Sequence, residues 1–153
     1  MSILDSESLK RWALVAEIIG GAAIVITLII LVFELQQNTT AVQRATYSEI
    51  TQSLDEWRYQ LTLNPDVRAV FEKFDKQETL TSEEAGIRVG LGRTLYSIYE
   101  RAYWANEYGQ VGEPEWARFE RMICASLPRF WDDSSEFIYT EEFIEYINNC
   151  SAE

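Results

Sequence analysis

The sequence predicts an all-α protein: an N-terminal transmembrane helix that continues into a small four- to five-helix bundle. Three observations predict it. Residues 18–33 contain no charge, and between Trp12 and Phe33 the only ionisable residue is Glu17. Those 22 residues make roughly 33 Å of helix, close to the hydrocarbon thickness of a bilayer. Beyond the span the apolar residues recur at helical spacing, with no long period-two stretch and no hairpin signal such as Asn-Gly.

The element order divides the chain into an N-terminal flank (1–11), a transmembrane helix (12–35) and an acidic helical domain (36–153). A cleaved signal peptide needs small residues after its apolar core. Here the run ends in Val32-Phe33-Glu34-Leu35-Gln36-Gln37. A buried soluble helix keeps a polar stripe, whereas residues 18–33 hold only Thr27, whose hydroxyl can bond back to its own helix.

No Gly or Pro occurs between Ala22 and Asn64. The membrane helix is therefore expected to continue to about Leu63, a rod of roughly 75–80 Å. The polar run Gln36 to Thr40 is a candidate joint in it. Beyond that run Tyr47, Ile50, Leu54, Trp57 and Leu61 fall at spacings of 3, 4, 3 and 4, one helix face. Asn64-Pro65 reads as an N-cap with Pro at the first helical position. The helix it starts turns Val67, Val70, Phe71 and Phe74 inward.

Lys76 to Leu80 reads as a loop. Thr81 and Glu84 fit a capping box. The helix they open runs to about Tyr108, with Ile87, Leu91, Leu95, Ile98 and Ala102 on one face. Gly109, Gly112 and Pro114 break it. A helix over 114–127 carries Trp116, Phe119, Met122, Ile123 and Leu127, and Pro128 is expected to end it. A short turn and a final helix capped by Thr140 complete the chain, with Phe143, Ile144 and Ile147 inward.

Net charge is −12, and residues 34–153 carry 22 acids against 11 bases. Nucleic acid is disfavoured as a partner, because a duplex binder needs a basic face. Tight docking of the domain on anionic lipid is disfavoured for the same reason. The chain has no histidine, which removes the commonest general base and most zinc and iron sites. Cys124 and Cys150 form no metal spacing and no CxxC. Cys124 reads as a small core residue; a disulfide with Cys150 requires an oxidising compartment. No catalytic, cofactor-binding or metal-ligating set is identified.

A tryptophan before Glu17-Ile18-Ile19-Gly20, a span followed by Gln37-Asn38-Thr39, then Asn64 to Val67, Glu100 to Tyr103, Gly109 and Trp116 give the chain a recognisable order of short motifs. In that order it resembles a large set of small bacterial proteins with one N-terminal transmembrane helix and a helical domain of unknown function. The resemblance covers nearly the whole chain and implies the same architecture, with no activity to lend. Those proteins often carry an arginine where Gln36 stands, so this chain departs from the pattern at a position that bears on orientation.

Four features bear on function. Ala13, Ala16, Gly20 and Ala23 form a small-residue stripe of the kind that lets two membrane helices approach, which points to association with itself or with another membrane protein. Glu17 beside it is a polar intramembrane candidate: a cavity-lining group, a cation or proton site, or a partner for a neighbouring subunit's Arg11. The simpler reading, which is preferred, places it within reach of headgroup water. The carboxylate clusters Glu83-Glu84, Asp132-Asp133 with Glu136, and Glu141-Glu142 with Glu145 read as helix-start and solvated acids. Tyr96, Tyr99, Tyr103, Trp104 and Tyr108 crowd one helix and read as core and bundle edge.

The sequence therefore points to a non-enzymatic, membrane-anchored interaction module, working as a homo-oligomer or an accessory subunit of a membrane complex. A small ion channel lined by the span ranks second and a tethered enzyme last. Lys10 and Arg11 before the span, against Arg44 alone in the first twenty residues after it, favour a plasma (inner) membrane protein with its domain outside the cytoplasm.

Overall fold

The computed structural model describes residues 6–131 and 133–150, with side chains described for 8–131 and 136–150. The described residues form five α-helices and one short 3-10 helix, with no strand. The protein is all-α. The helices are α1 (Ser6–Leu63), α2 (Pro65–Asp75), α3 (Ser82–Glu107), α4 (Glu113–Phe130) and α5 (Glu141–Cys150), with the 3-10 helix at Asp133–Ile138 between the last two. The chain divides into two compact units, Met1–Ala41 and Val42–Glu153. Helix α1 contributes to both.

In the first unit every residue of α1 from Leu9 to Ala41 is exposed. This helix is long and apolar enough to cross a membrane, and its most apolar stretch has a mean hydropathy of 2.7. The Thr27 hydroxyl donates to the Ala23 carbonyl at 2.9 Å, so its polar atom is satisfied inside the helix. Thr39 and Thr40 do the same to Leu35 and Gln36. The run Gln36 to Thr40, expected as a candidate joint, is helical throughout.

The second unit is built on the remainder of α1. Ile50, Leu54 and Trp57 are buried, with Tyr47 and Leu61 packed at the margin of the core, the face expected from their spacing. The Trp57 indole N–H donates to the Leu91 carbonyl of α3 at 2.9 Å. Asn64 caps α2 by accepting from the backbone N–H groups of Asp66 and Val67. Thr81 and Glu84 form the reciprocal capping box at the start of α3. Gly109, at φ +66°, ends that helix in the left-handed conformation a side chain disfavours. Helix α3 packs against α2 and α4, and α5 against α4. Phe119, Ile123, Phe143 and Ile147 meet Leu95 and Tyr96 in the centre of the core.

Three local expectations change. Pro128 does not end α4, which runs to Phe130. The proline sits in the last turn, so only one intrahelical bond is forgone. The following turn is closed by the Trp131 N–H donating to the Leu127 carbonyl at 3.1 Å. Phe130 is also held between Trp57 and Phe71, with ring centroids 5.0 and 5.3 Å away. Thr140 begins α5 but does not cap it with its side chain: both its N–H and its hydroxyl donate to Glu100 Oε1, at 2.7 and 2.9 Å. Cys124 is not a lone core residue. It forms a disulfide with Cys150 that joins α4 to the end of α5, with Cα atoms 5.2 Å apart.

Candidate interaction site

The residues singled out in the apolar part of α1 all lie in the first unit. Ala13, Ala16, Gly20 and Ala23 are exposed, and so is Glu17. A Cβ placed on Gly20 or Gly21 meets nothing within 4 Å. Both positions therefore face open space in the described chain. Glu17 borders the stripe.

In the second unit the carboxylate clusters separate by role. Glu84 is structural: it accepts from Lys73 of α2 and from the Thr81 N–H. The hydrogen bond from Lys73, followed by that from Thr81, holds its carboxyl below the usual range. Glu141, Glu142 and Glu145 are exposed on α5. Asp132 and the side chain of Asp133 lie outside the described residues. Among the described residues no three His, Cys, Asp or Glu side chains are placed to hold a metal ion.

The aromatic residues of α3 divide between core and surface. Tyr96 is fully buried, and its hydroxyl lies 2.9 Å from Ser126 Oγ. Burial pushes the hydroxyls of Tyr96, Tyr99 and Tyr103 up, and around Tyr103 the charges of Glu107, Glu142 and Glu145 add to the effect. Tyr103 sits among Trp104, Trp116, Phe143 and Tyr146, with centroids 5.3–6.4 Å away. The Tyr146 hydroxyl is buried with no hydrogen-bond partner among the described residues. Trp104 is half-buried and stacks on Tyr108 at 5.7 Å and 24°. Tyr108 is 70% exposed.

These two rings line an open groove of about 550 Å³ between α1, α3 and the segment entering α5. Glu49, Glu100 and Arg101 supply its charged walls, and Ile138 and Tyr139 its apolar end. Arg101 pairs with Glu49 at 3.6 Å and donates to Ser53 at 3.2 Å. Tyr139 also lines a second groove of about 520 Å³, walled by Phe137, Ile144 and the carboxylates Glu136, Glu141 and Glu145. Sequence reasoning assigned the rings of α3 to core and bundle edge and did not find these grooves. Tyr139 and Val111 are buried from segments between helices, where no periodic signal exists to reveal them. Comparison with protein-family models, with curated proteins and with solved structures finds no match for this chain.

Proposed function

We propose that the chain is a membrane-anchored, non-enzymatic interaction module, acting as a homo-oligomer or as an accessory subunit of a membrane complex. The observation that carries this reading is α1 from Leu9 to Ala41, every residue of which is exposed and which holds a stretch long and apolar enough to cross a membrane. Lipid covers most of such a surface favourably. The face with Ala16 and Gly20 offers a protein partner what lipid does not need, a close backbone approach. The resemblance to small single-span bacterial proteins supports the same reading.

The plasma membrane is the proposed location, with the folded unit outside the cytoplasm. The Cys124–Cys150 disulfide supports that side, because such bonds persist in oxidising compartments. Lys10 and Arg11 before the span favour it too. Glu17, uncovered beside the stripe, favours a second reading in which several copies close a ring around a pore with this carboxylate near one mouth.

The reading is tested by three measurements. Carbonate washing of membranes is expected to leave the protein in the pellet. Native mass in mild detergent is expected to exceed that of one chain, and Gly20→Leu to reduce it by forcing the backbones apart. An assembly that keeps its mass after that change does not use the stripe. Protease added to spheroplasts is expected to remove the folded unit; a protected unit places it in the cytoplasm. A closed symmetric ring formed by this chain alone favours the pore, and steady co-purification of a different membrane protein favours the accessory subunit.

A further inference from the structure

The two adjoining grooves of the second unit carry an excess of one charge beside exposed apolar rings. Their walls hold five carboxylates, Glu49, Glu100, Glu136, Glu141 and Glu145, against one guanidinium, Arg101. Arg101 is engaged with Glu49 and Ser53. Among the described residues Glu136, Glu141 and Glu145 form no ion pair. The rings and side chains beside them are open: Tyr108 is 70% exposed, Phe137 81% and Ile138 42%. Arg93 lies 5.9 Å over the Phe137 ring, so that ring already faces a cation.

We infer that these grooves are a docking site for an amphipathic, Lys- and Arg-bearing segment of a partner protein. Charge complementarity over an aromatic floor selects that occupant. No basic residue follows Arg129, while seven acids do. The local field therefore draws cations and repels anionic lipid and nucleic acid. Stacked Trp104 and Tyr108 present flat faces to a guanidinium or ammonium head and to the methylene stem behind it. Phe137 and Ile138 supply apolar contact for the side chains between the charges. Two grooves meeting at Tyr139 suit an extended or helical segment better than a compact solute. The inference rests on reading the chain as an interaction module, and names the chemistry of what it holds.

The test uses the full chain in nanodiscs of neutral phosphatidylcholine. The probe is a fluorescein-labelled amphipathic peptide of Lys and Leu, read by anisotropy against empty nanodiscs. Saturable binding is expected, weakening as salt rises. Trp104→Ala is expected to lower affinity about tenfold or more, and the exposed change Tyr108→Ala to lower it with an unchanged melting curve. Glu141→Lys with Glu145→Lys is expected to weaken binding strongly, whereas Glu72→Lys on α2, which lines neither groove, is not. A photo-crosslinking residue at Tyr108 or Phe137 is expected to capture the peptide, and one at Tyr59 is not.

Equal capture at all three positions, or equal binding of a Glu and Leu peptide, overturns the proposal. So does quenching of tryptophan fluorescence by tetramethylammonium with no peptide binding, which makes the grooves a small-cation site. Loss of peptide binding while the detergent assembly keeps its mass rejects the grooves alone. A chain extracted by carbonate, or found single and unpartnered in mild detergent, rejects the module reading whatever the peptide does.

Discussion

Gly92 of α3 lies against the carbonyl of Phe130, the last residue of α4. A Cβ built on Gly92 stands 2.3 Å from that oxygen. The contact is backbone against backbone, so neither side can swing away. Gly92→Ala is expected to destabilise the folded unit by about 1–3 kcal/mol through overpacking. Gly90, one position before Leu91, has nothing within 4 Å of its own added Cβ. Gly90→Ala is expected to stabilise by up to about 1 kcal/mol, because alanine is the better helix former. Thermal melting of both variants in detergent checks the pair, and a fall for both removes the distinction.

Trp57 ties α1 to α3 through one hydrogen bond to Leu91, and to α4 through an edge-on contact with Phe130. Trp57→Phe loses the indole donor and part of the buried area. A loss of about 2–3 kcal/mol is expected in urea unfolding. Tyr59→Ala, two residues along on the exposed face, is expected to stay within about 0.5 kcal/mol of the parent.

The disulfide closes a loop with a sequence separation of 26. By the loop-entropy relation, opening it is expected to remove about 3.5 kcal/mol of stability. Cys150→Ser, at the end of α5, is the variant to measure. Unfolding curves that superimpose with and without reductant contradict the expectation.

Glu84 gives the folded unit an acid-sensitive element. Its folded-state carboxyl titrates below the ordinary value of 4.5 because Lys73 and the Thr81 N–H hold the charged form. A depressed carboxylate adds stability above its unfolded value, and that stability is lost as pH falls through the folded value. Melting temperature is expected to drop below about pH 4.5, the unfolded reference. In Glu84→Gln the drop is expected to be shallower, with a lower plateau at neutral pH. An unchanged acid limb assigns the sensitivity to other carboxylates.

Much of this fold was readable before the structure, for identifiable reasons. The spacing from Tyr47 to Leu61 left one geometry for burying Ile50, Leu54 and Trp57 together. Asn64-Pro65 and the Thr81–Glu84 box are local chemistry, and each acts within one turn. The misreadings came from long-range partners. Pro128 stays helical because Phe130 is clamped by rings from α1 and α2. Thr140 serves Glu100, 40 residues away. The pairing of Cys124 with Cys150 and the approach of Gly92 to Phe130 depend on how α4 is packed, and no neighbouring residue announces either. The grooves were invisible for the same reason: α1, α3 and an interhelical segment each supply part of them.

The sulfur link between α4 and α5 changes what a protease can do to this chain. Phe137 stands 81% exposed between the two linked helices, open to an enzyme that cuts after aromatic residues. A cut there separates the polypeptide into two pieces without letting the second go. Cys150 stays bound to Cys124, and Phe143 and Ile147 remain in the core at 0% and 1% exposure. A clipped molecule is therefore expected to migrate as one band on a non-reducing gel and to shed a short fragment once thiol is added. Damage to that exposed stretch leaves a nicked but assembled protein, and its loss of the last helix waits on a reductant.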